Sequence, residues 1–306
     1  MKTSLLGIDV GGTKIAAGLL AWPGGDVLAR HVGPTNAARG GRAVLDDVLG
    51  LARALAPRSY PRAIGIGLCE LVDHEGRIAS SNCIHWLNEP VCEELSSIAP
   101  TVIEADVRAA ALAESLFGAG KSFRHFLYVT VGTGISCCLM LDGAPYLGAR
   151  GASGTMASSP LAVRCERCGE MSRRSLEDIA SGPSLVAGFQ AAGGNASTGH
   201  DVLAATAAGN AAARRVVESA AETLGSQLGI LVSTLDPEAV IIGGGLGLSE
   251  GPYWEHLVTG TREAIWSDVH REIPILRAQT GEDAGWIGAA AKAGQHFRKQ
   301  LNLPKS

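Results

Sequence analysis

The chain has 306 residues, and its formal net charge of −4 comes from 26 basic and 30 acidic side chains. Because these charges are mixed along the sequence without a basic stripe or an acidic tail, we expect no nucleic-acid partner. No window approaches the roughly 18 apolar residues of a membrane span, and MKTSLLGIDVGG reaches a glycine pair too early for a signal peptide, which favours a cytoplasmic protein with no membrane partner.

The first predicted elements are two strands joined by a glycine turn, in SLLGIDVGGTKIAAGLL. A second copy follows in FLYVTVGTGISCCLMLDG. Aligning residues 8–11 with residues 129–132 superimposes two G-x-T-type turns, each between apolar runs too short and too β-branched for a helix. Two such copies predict two related lobes that face each other.

Strands and helices alternate along the rest of the chain. Further buried strands are predicted at residues 63–71, 101–105 and 239–245, the last ending in three glycines. The run DVRAAALAESLFGAG predicts a helix with Asp106 as its N-cap and Gly118 at its end, and residues 210–236 also have helical spacing. This alternation predicts the α/β class.

The first glycine turn contains residue types suited to binding phosphate. The stretch GIDVGGTK is not a P-loop, because the order is G-T-K and a strand follows where that motif needs a helix. The backbone amides at Gly11 and Gly12, the Thr13 hydroxyl and the Lys14 ammonium fit phosphate oxygens, and Asp9 fits Mg²⁺ held through water. For this turn alone, a plain glycine-rich hairpin is the alternative.

Two further glycine turns make that alternative less favourable. One is the second hairpin turn, and the other follows the predicted strand at residues 239–245. Their residues are Gly132, Thr133 and Gly134, and Gly243, Gly244 and Gly245. Together the three turns predict a nucleotide site between two lobes.

Seven motifs in order resemble the ROK family (repressor, open reading frame, kinase) of the actin-like ATPase superfamily, which includes glucokinases and N-acetylmannosamine kinases. They are LLGIDVGGTK, IGIGLCELVD, SSNCIHW, EADVRAAALAE, VGTGISCCLMLDGAPYLGARGASG, LEDIASGP and LDPEAVIIGGG. The resemblance implies a two-lobed, ribonuclease H-like fold with a cleft between the lobes. We expect a small lobe over residues 1–117, a large lobe over 118–284, and a C-terminal helix within 285–306 that packs back on the small lobe. The resemblance also implies a homodimer.

The resemblance assigns a role to each motif. It implies an ATP- and Mg²⁺-dependent kinase in which Asp106 takes the proton of a sugar hydroxyl, a step that needs mainly positioning and charge neutralisation. Judged without the family, Asp106 is a helix cap, and the two roles are compatible. Asn82 and Glu177 match the family's sugar-contacting residues.

Three positions depart from the family pattern on the sugar side. Ala105 stands where the family commonly has Asn, Thr155 replaces a sugar-binding Glu, and Ser158 replaces a His. Because these changes remove hydrogen-bonding groups, we expect weak activity on glucose or N-acetylmannosamine. A modified hexose such as the amino sugar kanosamine is one candidate acceptor.

The family's zinc motif is also incomplete. Only Cys165 and Cys168 remain of its three cysteines and one histidine, with Ser175 at the third cysteine position. Two thiolates alone do not form a closed tetrahedral site, so we expect no structural zinc. A redox pair and a polar loop with two free thiols are the other interpretations, and the flanking sequence favours the loop.

Two functions compete at this point. The leading hypothesis is a sugar kinase that phosphorylates a primary hydroxyl with ATP as the donor. The sequence does not distinguish ATP from polyphosphate as the phosphoryl donor. The alternative is a non-catalytic sugar-sensing protein. A DNA-binding repressor is disfavoured, because the first predicted strand begins within a few residues of Met1.

Overall fold

The computed structural model describes residues 3–164 and 168–305, which fold into two compact units. The first unit comprises Met1–Arg124, Met140–Ser153 and Gln279–Ser306, and the second comprises His125–Leu139 and Gly154–Ala278. The lobe boundaries expected from the sequence stay predictions.

Strands and helices alternate, which confirms the α/β class. The strands in the described residues are β1 (Thr3–Val10), β2 (Lys14–Trp22), β3 (Asp26–Pro34), β4 (Ile64–Leu68), β5 (Thr101–Ala105), β6 (His125–Val131), β7 (Ile135–Leu141), β8 (Ala144–Pro145), β9 (Pro160–Arg164), β10 (Met171–Ser175), β11 (Ala239–Gly243) and β12 (Ile275–Arg277). The helices in the same residues are α1 (Gly41–Leu55), α2 (Val91–Ser96), α3 (Asp106–Phe117), α4 (Glu177–Ala180), α5 (Gly182–Ala191), α6 (Gly199–Ala207), α7 (Ala211–Leu235), α8 (Pro252–Ala264), α9 (Asp268–Arg271) and α10 (Ala284–His296).

Two five-stranded sheets have the same internal plan. The first has the order β3-β2-β1-β4-β5, and the second has the order β8-β7-β6-β11-β12 when it is read from the equivalent edge. The central strand of each sheet is the first strand of the hairpin, β1 or β6. On the side away from the hairpin it pairs with a parallel strand, β4 in the first sheet and β11 in the second. The duplication predicted from the two hairpins is therefore confirmed in the strand order.

The strands β1, β2, β4 and β5 of the first sheet are buried on both faces, whereas the edge strand β3 is mostly exposed. Leu6 and Ile8 of β1 pack in one apolar core with side chains of α1, such as Val44 and Val48. Gly7 lies between them and, because side chains alternate along a strand, belongs to the opposite face. That face packs against α10.

Helix α10 lies in direct backbone contact with the sheet. A Cβ placed on Gly7 would lie 1.9 Å from the carbonyl oxygen of Trp286, and one on Gly65 in β4 would lie 1.7 Å from that of Ala289. No other residue type fits at such distances, so the two glycines fix how closely the helix approaches.

The long helix of the second unit follows the sequence prediction closely. Helix α7 begins after Asn210, whose side-chain oxygen accepts the backbone N–H groups of Ala212 and Ala213, each at 3.0 Å. The helix buries one apolar face and packs along α8. In the portion of the chain that the structure describes, no helix combines the length and apolarity needed to cross a membrane.

One local prediction is wrong. The N-cap of α3 is Ala105, and Asp106 is the first helical residue, with its Oδ1 accepting the N–H of Val107 at 2.6 Å. The reason is that β5 extends through Ala105, which pairs with Leu68 of β4, so the chain leaves the sheet only after that residue. The predicted end of the helix at Gly118 is confirmed.

Candidate functional site

Three carboxylates lie at one edge of the first sheet. Asp9 is the penultimate residue of β1, Glu70 follows β4 by two residues, and Asp106 directly follows β5. These three strands are parallel to one another, so their carboxyl ends meet at the same edge. The edge therefore collects negative charge from segments that are far apart in sequence.

The pKa values of two of these carboxyl groups are raised towards neutrality. The pKa of Asp9 is raised to about 7, mainly by burial and also by the charge of Asp106, while the charge of Lys14 opposes both. The pKa of Asp106 is raised to about 6, mainly by burial, against the opposing effect of the hydrogen bond from the N–H of Val107. Two adjacent acids that resist ionisation form a site where a cation or a proton is favourable.

The carboxylate of Asp9 lies against the start of α10. A Cβ placed on Gly285 would lie 2.3 Å from Oδ2 of Asp9, so only glycine leaves room for the carboxylate. The predicted phosphate ligand Lys14 is half-exposed and forms an ion pair with the exposed Glu282 at 3.7 Å. Exposed pairs of this kind are weak, so the Lys14 ammonium is available to another anion.

Thr35, the residue after β3, holds the first glycine turn through two hydrogen bonds. Gly11 donates its N–H to the carbonyl of Lys14 at 3.0 Å, which closes the turn. The buried Thr35 donates its hydroxyl to the carbonyl of Gly11 at 2.6 Å and its N–H to that of Thr13 at 3.1 Å. Thr35 was not identified from the sequence, because only the paired strands bring it to the turn.

Glu70 fixes the segment that contains Asn82. Its carboxylate accepts the hydroxyl of Ser80 and the N–H groups of Asn82 at 2.9 Å, Cys83 at 2.6 Å and Ile84 at 2.9 Å. Burial alone would raise the pKa of Glu70, but these donors bring it below its usual value. Sequence analysis missed this residue, which lies inside the strand predicted at residues 63–71 and two residues after the observed end of β4.

In the second unit, Glu177 connects the predicted sugar side to the second glycine turn. Its Oε1 accepts the N–H of Ile135 at 2.9 Å, next to Gly134, and its Oε2 accepts the hydroxyl of Ser158 at 3.2 Å. The turn itself is closed by the N–H of Gly132 donating to Gly134, at 2.9 Å. Thr155 and Ser158 bound one short 3₁₀ helix, so these predicted residues lie together.

The third glycine turn wraps around the end of β6. Gly244 has φ 80°, a left-handed conformation that glycine adopts without strain. The carbonyl of Val131 accepts the N–H groups of the two residues that follow the turn, Leu246 at 3.0 Å and Gly247 at 3.1 Å. A Cβ placed on Gly245 would lie 3.4 Å from Nε2 of His200, an exposed residue that sequence analysis did not select.

A family model for the ROK family matches residues 5–296. The chain belongs to the ROK family.

Relatives of known name support this assignment over nearly the whole chain. The bifunctional enzyme NanE/NanK of Brucella suis biovar 1 (strain 1330) is 32% identical over 303 residues, which cover 97% of this chain and 54% of the relative. The chain thus spans about half the length of the Brucella relatives that it matches. The glucokinase of Streptomyces coelicolor is 30% identical over 314 residues, covering 93% of this chain and 96% of that protein.

A solved ROK structure has the same fold. The ROK family glucokinase of Streptomyces griseus, crystallised with glucose and AMPPNP, superimposes with a TM-score of 0.83 at 26% identity, covering 95% of this chain and 99% of that one. The predicted actin-like fold of this ROK protein is therefore confirmed.

The predicted site residues of the ROK chain divide between its two units. The first unit holds Asp9, Gly11, Gly12, Thr13, Lys14, Asn82, Ala105 and Asp106. The second holds Gly132, Thr133, Gly134, Thr155, Ser158, Glu177, Gly243, Gly244 and Gly245. The roles of these residues stay predictions.

The cysteine pair belongs to a segment that is only partly described. Cys165 lies outside the described residues, and Cys168 is exposed in a turn. Within residues 3–164 and 168–305, no three His, Cys, Asp or Glu side chains are grouped in a way that could hold a metal ion. The expectation about zinc stays a prediction.

Proposed function

We propose that this ROK family chain is an ATP- and Mg²⁺-dependent carbohydrate kinase, which transfers the γ-phosphoryl group to a primary hydroxyl of a hexose or a modified hexose. The observation that carries the proposal is the pair Asp106 and Asp9 at the sheet edge, with pKa values raised to about 6 and about 7. A base with a pKa near the working pH takes a proton most effectively.

In the proposed reaction, a carboxylate oxygen of Asp106 takes the proton of the acceptor hydroxyl. The acceptor oxygen forms its bond to the γ-phosphorus while the bond between that phosphorus and the β,γ-bridging oxygen breaks, and ADP leaves. The start of α3 holds Asp106 in place, because its Oδ1 also accepts the N–H of Val107 at 2.6 Å.

The residues present fit a bound Mg²⁺. Asp9 and Asp106 each carry a pKa raised by burial, and the charge of Asp106 raises the pKa of Asp9 further, so a divalent cation would relieve an unfavourable arrangement. When bound, Mg²⁺ neutralises charge on the β- and γ-phosphoryl oxygens. Asp9 would hold the ion through water, as expected from the sequence.

The glycine turns are the proposed nucleotide contacts. The N–H groups of Gly11 and Gly132 close their own turns, so the remaining backbone N–H groups of the turns at residues 11–13, 132–134 and 243–245 are the proposed phosphate donors. Lys14 supplies positive charge, and its weak pair with Glu282 is readily exchanged for phosphate.

An amino sugar such as kanosamine is the proposed acceptor. The sheet edge carries the carboxyl groups of Asp9, Glu70 and Asp106, which attract a protonated amine. Asn82 and Glu177 are the proposed acceptor contacts, while Ala105, Thr155 and Ser158 are the positions where selectivity departs from that for glucose.

Two assays over neutral, amino and N-acetyl sugars test the proposal: ADP release with ATP as the donor, and formation of sugar phosphate with polyphosphate as the donor. We expect one sugar class to stimulate ADP formation, and Asp106→Asn to lower kcat by about 100- to 10,000-fold. Asp268→Asn is the matched control, since Asp268 is exposed and pairs only with Arg271 among the contacts that the structure describes.

Two results would reject the kinase. One is that no sugar accepts phosphate from either donor, and the other is that Asp106→Asn behaves like the wild type. If calorimetry then detects sugar binding without Mg-ATP binding, the sugar-sensing alternative is supported instead.

A further inference from the structure

Glu70 is a buried carboxylate whose hydrogen bonds all go to one short loop. Only 4% of its surface is exposed. Each of its two oxygens accepts two donors: Oε1 takes the N–H groups of Cys83 and Ile84, and Oε2 takes the hydroxyl of Ser80 and the N–H of Asn82. One side chain therefore fixes four groups within residues 80–84.

The same loop is tied back to the strand end by a second bond. The N–H of Leu71, the residue after Glu70, donates to the hydroxyl oxygen of Ser80 at 2.8 Å. Ser80 thus links Leu71 and Glu70 in a closed pair of hydrogen bonds. Because Glu70 directly follows Cys69, whose N–H donates to the carbonyl of Val10 at 3.2 Å, the loop is anchored to the ends of both β1 and β4.

This anchoring leaves the side chain of Asn82 exposed while its backbone is held. A loop with three backbone amides fixed on one carboxylate has few conformations to lose when a ligand binds, and this lowers the entropic cost of binding. Hydrogen bonds to an ionised acceptor in a buried position are also about twice as strong as neutral ones.

We propose that Glu70 is a positioning residue for the acceptor, which holds residues 80–84 so that the amide of Asn82 contacts the sugar. The inference rests on the proposed kinase function, because it assumes a sugar bound at Asn82. Glu70 itself touches no reacting atom; its effect is transmitted through the loop backbone.

A purely structural role makes a different prediction, and Glu114 in the same unit is the matched control. Glu114 is fully buried and also accepts four donors: the N–H groups of Ala119, Gln279 and Thr280, and the hydroxyl of Thr280. None of its donors belongs to residues 80–84. Glu114→Gln therefore removes comparable hydrogen bonds without touching the proposed acceptor loop.

The first measurement is amide hydrogen exchange, which does not depend on activity. In Glu70→Gln one acceptor oxygen becomes an NH₂ group that faces donors, so we expect exchange at Asn82, Cys83 and Ile84 to accelerate by about tenfold or more. In Glu114→Gln the faster exchange should lie at residues 119 and 279–280. Unchanged exchange at residues 82–84 in Glu70→Gln would overturn the proposal.

The second measurement separates positioning from stability. We expect Glu70→Gln to raise KM for the acceptor sugar by about tenfold, while kcat at saturating sugar changes by less than about threefold and KM for ATP is unchanged. Saturating acceptor should also restore slow exchange at residues 82–84. If KM for the sugar rises equally in Glu114→Gln, the effect is general destabilisation and the proposal fails.

A milder variant covers the case in which Glu70→Gln does not fold. Ser80→Ala removes one donor to Glu70 and the acceptor for Leu71 from the loop side, and we expect a rise of about threefold in KM for the sugar. A wild-type chain that phosphorylates no sugar overturns both this inference and the proposed function. An active wild type whose KM for the sugar is unchanged in both Glu70→Gln and Ser80→Ala overturns the positioning role alone.

Discussion

The two sheets share one strand order but carry different chemistry at the same place. In the alignment of the two hairpins, Asp9 of β1 corresponds to Thr130 of β6. Each lies opposite a glycine of the neighbouring parallel strand, Asp9 opposite Gly67 and Thr130 opposite Gly243. The duplicated backbone thus accommodates either side chain, and the residue at the strand end decides what the edge can do.

The surroundings of the two positions differ as well. Asp9 is crowded by the start of α10 at Gly285, and burial raises its pKa to about 7. Thr130 instead adjoins the left-handed glycine turn, since a Cβ on Gly244 would lie 2.8 Å from its Oγ1. One edge is specialised for a carboxyl group and the other for exposed backbone.

The largest expected effect comes from closing the space beside Asp9. Gly285→Ala places a Cβ 2.3 Å from Oδ2 of Asp9, and a shift of α10 that relieved this clash would disturb its close backbone contacts with β1 and β4. We expect the free energy of unfolding to fall by about 2 kcal/mol because the site becomes overpacked. We expect kcat/KM to fall by about 100-fold because the carboxylate is displaced. Urea unfolding and the coupled ADP assay measure the two effects.

Gly50→Ala is the control for that substitution. Gly50 lies inside α1, and no described atom outside the backbone of its own helix lies within 4 Å of the place that a Cβ would take. Alanine there should therefore stabilise the protein by about 0.5–1 kcal/mol. Normal activity in Gly285→Ala would show that Asp9 tolerates displacement.

A smaller effect is expected when the two equivalent positions are changed in turn. Asp9→Asn removes the charge proposed to hold Mg²⁺ through water, so we expect the Mg²⁺ requirement to rise by about 10- to 100-fold. Thr130→Val keeps the volume and removes only a hydroxyl, and we expect less than about a threefold change. Rates measured across a Mg²⁺ titration give both values, and equal losses in the two variants would remove the distinction between the edges.

The smallest expected effect is on stability and its dependence on pH. The folded-state pKa of Asp106, about 6, lies above its ordinary value of 3.8, so the folded state holds its proton more tightly than the unfolded state does. Stability from this group is therefore present at low pH and is lost as pH rises through about 6.

Asp106→Asn removes that loss. Without nucleotide or Mg²⁺, we expect the Tm of the variant to be about 2 °C higher than that of the wild type at pH 7.5, which corresponds to about 1 kcal/mol in a large chain. Near pH 4 we expect the two proteins to have the same Tm. Melting curves between these pH values test this, and a lower Tm for the variant at pH 7.5 would contradict it. The same titration predicts that kcat/KM falls as pH drops below about 6.

Local patterns were sufficient for the strands of the two hairpins, for β4, β5 and β11 and for some helix ends, but not for β3, β8, β9, β10 and β12. The hairpin at Gly11 and the helix end at Gly118 follow from glycine chemistry within a few residues, and α7 begins where the helical spacing of residues 210–236 begins. The cap assigned to Asp106 failed because a capping rule does not include the partner strand. Pairing of Ala105 with Leu68 extends β5 by the residue that displaces the cap.

The candidate site was only partly predictable for a similar reason. Asp9 and Asp106 were selected from motifs in the sequence, but Glu70, Thr35 and His200 were not. Glu70 and Thr35 form hydrogen bonds with segments that pack beside them only after folding, and His200 lies near Gly245 only in the folded chain. A buried glutamate does not reveal from its neighbours in sequence which loop will return to its oxygens.

The amino-acid sequence by itself determined the α/β class, the duplicated hairpins and the family, because these depend on periodicity, glycine positions and the order of motifs. Tertiary structure alone decided the raised pKa values of Asp9 and Asp106, the space left for Asp9 at Gly285 and the hold of Glu70 on residues 80–84. Burial, electrostatic interaction and hydrogen bonding between distant segments depend on distances that exist only once the strands have been brought together.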